Sequence, residues 1–322
     1  MLPELWRRGE REHSNQEVQS RGPRQGAARE KPLLHPLWRA AHGREVIVAM
    51  DMARTLAVIH RRVRAVLAET PPDLTEPVAT ASGELNPKGD VQQLFDLAAD
   101  KLIRQELEAL CASGVMLSEE RAEGIIFGRQ PPRYRFVVDP VDGSDNHRRS
   151  LPLAAVSVAV LDGEGPLGLE EVMYALVGGL DEEEPMLGTR RQGAWQGTVR
   201  LKTSGVRRIE DAFVSCELNH WAPDRRLAEI LRRSRGIRTY GCASRAIALV
   251  ARGALDAHID VRDRLTPESF LAASLLLTEA GGYACRPDGS PLGPFSSIRE
   301  RTGLIAAAGE DLALAIVAAL SA

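Results

Sequence analysis

Cysteine is sparse and unpaired in this chain. Cys111, Cys216, Cys242 and Cys285 stand far apart with no Cys-x-x-Cys spacing. They carry no disulfide framework or redox motif and read as buried or surface thiols of a reducing cytoplasm. Long apolar runs are missing too. None approaches the roughly 20 residues of a bilayer span, which excludes a transmembrane helix and with it a membrane partner. Nothing at the N-terminus has the charged, apolar, small-residue order of a secretory signal. Charge of one sign is not in excess either. A net charge of −3 supplies no positive field to gather phosphates, so nucleic acid is not expected as a partner.

What is present is ordinary for a globular protein: 322 residues, 44% hydrophobic and 26% charged, enough for one large domain or two. Residues 1–50 differ from the rest. Arg7, Arg8, Arg11, Arg21, Arg24 and Arg29 lie among Gln, Ser, Gly and Pro without a sustained period. So few apolar residues cannot offset the entropy of ordering, and disorder is expected there. Glu4, Glu10, Glu12 and Glu17 spoil an organelle-targeting pattern. A nucleic-acid-binding arm is one alternative; a translation start at Met50 or Met52 is the preferred explanation.

From Met52 to Ala68 apolar residues recur at helical spacing and predict an amphipathic helix. The three prolines of Thr70–Pro77 predict a loop. A second helix is expected over Leu97–Leu110, ended by Ser113-Gly114. Val115 to Ser118 then reads as a short strand running into Glu119 and Glu120.

The central stretch is Arg135-Phe136-Val137-Val138-Asp139-Pro140-Val141-Asp142-Gly143-Ser144-Asp145-Asn146. It opens β-branched and apolar and closes in a turn crowded with carboxylates. That predicts a buried strand delivering acids to its C-terminal end, where open α/β sheets place ligands. Asp139, Asp142 and the Val141 carbonyl are hard oxygen donors that such a turn could aim at one point, as Mg²⁺ requires. Gly143 and Ser144 follow at a helix start, where free N–H groups suit a phosphate.

Asp-Pro-Val-Asp-Gly-Ser-Asp-Asn resembles the DP(I/L)DG(T/S)xN motif of the inositol monophosphatase and fructose-1,6-bisphosphatase superfamily. The overall pattern is most similar to its archaeal branch of dual fructose-bisphosphatase/inositol-phosphatase enzymes. Ser118-Glu119-Glu120 is similar to the family's GEE segment. Gly89-Asp90 through Phe95-Asp96 is similar to the segment before its first acid. Gly241-Cys242-Ala243-Ser244 with the following Ala-rich helix is similar to its substrate-facing element. The resemblance covers residues 52 to 318. It implies an α/β protein, an αβαβα layered sandwich of the sugar-phosphatase type, with an α+β metal-binding half (52–205) and an α/β half closing on the substrate (206–322).

The resemblance also implies a site. Glu119, Asp139, the Val141 carbonyl and Asp142 would hold Mg²⁺, or Mn²⁺. Asp96 and Ser144, with Glu119, would orient and activate the attacking water. Gly143, Ser144 and Arg245 would contact the substrate. Asp96 has the alternative reading of a first-turn acid facing a helix dipole, and Arg245 that of a surface cation. Lys88, in a Gly/Pro loop, resembles the family's mobile active-site loop at a different spacing. Asp181 to Pro185 reads as a solvated hairpin tip.

One departure matters. Thr266, Pro267 and Glu268 form a well-built helix start, N-cap, N1 and first-turn acid. Counting back from Glu279-Ala280-Gly281-Gly282 puts Ser269 where the family has a metal-ligand Asp. Glu268 lies about 100° away around the helix. Either Glu268 or Asp145 reaches in, or the chain works with fewer or weaker metals, or catalysis is lost; Glu120, behind Glu119 at the first metal, is a further doubtful ligand. The expectation is therefore a cytoplasmic Mg²⁺-dependent phosphomonoesterase for a small phosphorylated metabolite, fructose 1,6-bisphosphate and/or inositol 1-phosphate, and a homodimer by family analogy. The alternatives are a catalytically impaired paralogue that binds such a metabolite, and a 3′-phosphoadenosine 5′-phosphate phosphatase.

Overall fold

A computed structural model describes residues 44–69, 81–111, 113–219 and 225–321. The leader up to residue 43, the proline loop over 70–77 and Pro223, expected at the start of a basic helix, lie outside the described residues. In chain order the elements are helix α1 (Arg44–Glu69), strands β1 (Ala81–Leu85) and β2 (Val91–Gln93), helix α2 (Leu94–Leu110), strands β3 (Ser113–Ser118), β4 (Ile125–Gly128) and β5 (Tyr134–Asp142). The one-turn helix α3 (Ser144–Arg148) leads into strands β6 (Ala155–Asp162), β7 (Val172–Gly179), β8 (Met186–Thr189), β9 (Gly193–Gln196), β10 (Val199–Arg200) and β11 (Phe213–Cys216). Then come helix α4 (Arg225–Arg233), strand β12 (Gly236–Arg238), helix α5 (Ala243–Ala251), strand β13 (Ala257–Leu265), helix α6 (Pro267–Glu279), strands β14 (Tyr283–Cys285) and β15 (Thr302–Ala307), and helix α7 (Glu310–Ser321).

An eight-stranded sheet runs β10-β9-β8-β7-β6-β5-β3-β4, antiparallel except for the parallel β3–β5 pair. A five-stranded sheet runs β12-β11-β13-β15-β14. β5 is buried on both faces, which is why its sequence is a continuous apolar run rather than an alternation. Its side chains still divide by the period of two. Phe136 and Val138 join the core under α1 and α2, with Leu56, Ile59, Ala99 and Ile103. Val137 faces the opposite core, with Ile247, Phe270 and Leu276 of α5 and α6 and with Leu304 and Ala306 of β15. The neighbours of those last two on β15, Ile305 and Ala307, pack under α4 and α7 with Leu227, Ile230, Leu312 and Ile316. Helix pair, sheet, helix pair, sheet, helix pair is the αβαβα sandwich expected.

The differences are local. Helix α1 begins at Arg44, so residues 44–50, placed in the disordered leader, are helical. Helix α2 begins at Leu94 rather than Leu97, which puts Asp96 inside its first turn. It ends at Leu110, and Ser113-Gly114 opens β3 instead of capping the helix. Packing is the reason: a Cβ on Gly114 would meet the Phe127 ring at 2.6 Å. Helix α5 starts at Ala243, not Ala246, with Cys242 as its N-cap.

Candidate active site

The central strand loses register as it reaches the acids. Asp139 pairs with Ser157 and Asp142 with Ala155, so three steps along β5 match two along β6. This bulge frees Pro140, which has no N–H to give a ladder, and bends the strand end out of the sheet. Gly143 follows at φ +82°, and a Cβ there would lie 3.0 Å from the Leu153 carbonyl and 3.1 Å from the Cys242 side chain. Both conformation and crowding therefore demand glycine. Asn146 ties the turn across the molecule, its amide donating to the carbonyls of Leu153 at 3.0 Å and Tyr240 at 2.6 Å.

The strand end opens into a cavity of about 590 Å³, within the range of small-molecule sites. Its wall includes Asp96, Glu119, Glu120, Asp139, Val141, Asp142, Gly143 and Ser144, so elements distant in sequence bring the expected site residues together. The Ser144 hydroxyl lies 3.1 Å from Asp96 Oδ1 and 2.8 Å from the Val141 carbonyl oxygen, with one proton to donate. Burial, then the charges of Glu120 and Glu119, hold the Asp96 carboxyl well above the usual carboxylate range. Burial pushes Glu120 up to about 7, although Gln92 donates to it at 2.7 Å.

Asp142 is turned toward helix α5, accepting the Ser244 N–H at 2.7 Å and the Cys242 thiol at 3.2 Å. Burial raises its pKa to about 6 against those bonds. Burial, then the charges of Glu119 and Asp142, also raise Asp139 well above the usual carboxylate range, and its Oδ1 is buried without a partner. A cation is already present in the cluster: the Lys88 ammonium, 3.0 Å from Glu119 Oε1 and 2.8 Å from Glu268 Oε1. Burial alone would lower the Lys88 pKa, but Glu119, Glu268 and Asp139 outweigh it and hold it well above the usual lysine value. Burial likewise raises Glu119, and Lys88 overrides that to keep it ionised.

Among the described residues no three His, Cys, Asp or Glu side chains converge tightly enough to form a ready metal cage. Glu119, Asp139, Val141 and Asp142 nevertheless line one cavity, with Lys88 paired to Glu119 and the N-terminus of α5 bonded to Asp142. The donor chemistry still fits one hard divalent cation. Asp139 offers a buried, unpartnered oxygen at elevated pKa, beside a backbone carbonyl and further carboxylates.

Other expected residues are placed differently. Arg245 is buried rather than a surface cation, and it is not among the residues lining this cavity. It pairs with Glu182 at 2.8 Å and Asp181 at 3.1 Å, because the tip of the 181–184 hairpin folds against α5. That hairpin holds charge rather than being merely solvated. Asp145 also lines the cavity, but it is exposed and pairs with Arg148 at 2.9 Å. Of the candidates to stand in for the missing Asp, Glu268 is the one whose carboxylate is buried and aimed at Lys88. Thr266 donates to Glu268 rather than capping a backbone N–H. Sequence reasoning missed Arg299, whose guanidinium gathers the carbonyls of Ser118, Glu119 and Arg121 at the end of β3. It also missed Ser118 as a bond to buried Asp100, at 2.5 Å. A lone distant arginine carries no local signal.

Residues 51–322 match the model of the inositol monophosphatase family. The chain belongs to the inositol monophosphatase family. Enzymes of this family are phosphatases and generally metal-dependent. The chain is 28% identical over 234 residues to the fructose-1,6-bisphosphatase/inositol-1-monophosphatase of Methanothermobacter thermautotrophicus, covering 70% of this chain and 81% of that one. It is also 28% identical over 242 residues to the fructose-1,6-bisphosphatase of Pyrococcus furiosus, covering 74% and 86%. Among solved structures, the extragenic suppressor protein suhB of Bartonella henselae superposes with a TM-score of 0.69 at 25% identity, over 85% of this chain and 98% of that one. No helix among the described residues is long and apolar enough to cross a membrane.

Proposed function

We propose that this inositol monophosphatase family member is a Mg²⁺-dependent phosphomonoesterase acting on a small sugar or inositol phosphate, fructose 1,6-bisphosphate and/or inositol 1-phosphate. The observation that carries the reading is the Asp96–Ser144 pair standing over the Asp139–Asp142 turn in one cavity. Asp139, the Val141 carbonyl and Asp142, with Glu119, are the residues that would hold the divalent ion. Bound there, it supplies charge neutralisation for the phosphate and polarises the ester.

The chain's own groups do the rest. Ser144 and Asp96 hold a water in line with the phosphorus, and Asp96, raised in pKa by burial and by its acidic neighbours, accepts its proton. The backbone N–H groups of Gly143 and Ser144 steady the phosphoryl oxygens, so positioning and electrostatics provide most of the rate. The names of relatives such as those of Methanothermobacter and Pyrococcus support the substrate class.

A second reading, a chain that binds a phosphorylated metabolite without turning it over, is favoured by Ser269 and by Lys88 among the acids. Purified protein is assayed for phosphate release with Mg²⁺ or Mn²⁺ against fructose 1,6-bisphosphate, inositol 1-phosphate and 3′-phosphoadenosine 5′-phosphate. Metal-dependent release from one of the first two is expected. Release from the third alone moves the substrate class. No release from any, with activity appearing in Ser269→Asp, replaces the first reading by the second.

A further inference from the structure

We propose that the Lys88 ammonium takes the place of one divalent cation in this acid cluster, so that the chain binds one metal ion fewer than its carboxylates could hold. This rests on the metal-dependent reading above and goes beyond it by naming which cation is part of the polypeptide.

Three observations converge on it. First, the ammonium is seated as a ligand-bound ion would be. Its Nζ lies 2.8 Å from Glu268, 3.0 Å from Glu119 and 3.5 Å from the Ser269 hydroxyl, three oxygens from two separate parts of the fold. Separations near 2.8–3.0 Å suit charge-assisted N–H···O bonds, whereas Mg²⁺ would draw its oxygens to about 2.1 Å.

Second, the wall around it has been altered in the matching direction. Ser269 brings a neutral hydroxyl where a divalent ion would want a carboxylate. One residue earlier, Glu268 is fully buried and would be an unpaired charge without Lys88. The Glu268 side chain is held from behind by Thr266, and its second oxygen has no partner. Carboxylate and ammonium are therefore mutually required.

Third, the lysine is delivered by a built loop, not by a wandering side chain. The Asn86 Oδ1 accepts the backbone N–H groups of Lys88 and Asp90, each at 3.0 Å, while its amide reaches Glu119 at 3.3 Å. Arg301, 213 residues further along the chain, adds a bond to the Lys88 carbonyl at 3.3 Å. A tethered charge costs no association entropy and cannot be chelated away.

The test counts ions rather than turnover. Bound Mn²⁺ is measured by equilibrium dialysis and by electron paramagnetic resonance on the wild type, Lys88→Met, Lys88→Met/Ser269→Asp and Asp139→Asn. Lys88→Met is expected to hold one more Mn²⁺ per chain than the wild type, and the double variant to hold that extra ion at least tenfold more tightly. Equal, non-zero stoichiometry in the wild type and Lys88→Met overturns the lysine inference and leaves the phosphatase reading standing. If no protein binds Mn²⁺ and Asp139→Asn changes nothing, the reading beneath it falls as well. Should the lysine variants fail to fold, anomalous diffraction from Mn²⁺-soaked wild-type crystals decides instead. A peak between Glu119 and Glu268 with Lys88 displaced contradicts the inference; Lys88 remaining between them, with manganese only at Asp139 and Asp142, supports it.

Discussion

The Ser144 hydroxyl reaches Asp96 across 48 residues of chain, 3.1 Å away, where the end of β5 meets the first turn of α2. If this pair positions and deprotonates the attacking water, each partner is needed for turnover and not for folding. Asp96→Asn and Ser144→Ala are each expected to lower kcat by about 10²- to 10⁴-fold, the usual range for a general base and its orienting partner. Far-ultraviolet circular dichroism and the Mn²⁺ count should stay as in the wild type. A kcat within threefold of the wild type in both variants would remove the pair from the mechanism.

Arg245 provides the opposite case. With its guanidinium committed to Asp181 and Glu182, Arg245→Met should leave KM for any accepted phosphate ester unchanged within about twofold. Its cost appears in stability, about 1–3 kcal/mol for two carboxylates deprived of a largely buried partner. Arg252 still pairs with Glu182 and limits the loss. Thermal denaturation alongside Michaelis kinetics separates the two effects; a large rise in KM would return Arg245 to the substrate.

Asn146 stitches the catalytic turn to the segment before α5. Asn146→Ala orphans the carbonyls of Leu153 and Tyr240, and a loss of about 1–3 kcal/mol is expected. For a chain of this size that is a fall in Tm of roughly 1.5–2 °C per kcal/mol. An unchanged Tm would mean that the bridge is not made in solution.

His258 sets an acid limit on stability. Burial, helped by Arg262 and opposed by Asp260, lowers its pKa to about 4. The unfolded chain binds a proton near pH 6.5, the folded one only near 4, so the unfolded state takes up more protons between those values. The contribution of His258 to stability is therefore full above about pH 6.5 and declines by about 3 kcal/mol as pH falls toward 4. Urea denaturation of His258→Gln should show a shallower decline across that window than the wild type. Equal slopes would assign the acid sensitivity elsewhere.

Much of this molecule is legible from local pattern. The apolar run of β5, the Asp-Pro-Val-Asp-Gly-Ser turn and the Pro-Glu start of α6 are each readable locally, whereas the layered fold was implied by the family resemblance. The Asp96–Ser144 meeting was expected from the resemblance, whereas the left-handed backbone of Gly143 was not. What was not legible depends on long-range charge pairing. Arg245 and Arg299 look alike in sequence, and only the fold decides that one meets an acidic hairpin and the other a row of carbonyls. The Lys88 loop was matched to an active-site loop, but the charge pairing of its ammonium appears only when Glu119 and Glu268 arrive from elsewhere. Ser269 was visible as a departure, but its consequence was not, because the group facing it comes from 181 residues earlier.

Phosphate release by Asp142→Asn, followed as Mg²⁺ is titrated from zero to saturation, tests the central claim most directly. The wild type should be inactive in excess chelator and recover with added Mg²⁺. The variant should lose at least a hundredfold in kcat/KM at every concentration, with its circular dichroism unchanged. A variant as active as the wild type at saturating Mg²⁺, or a wild type indifferent to chelator, would contradict the account.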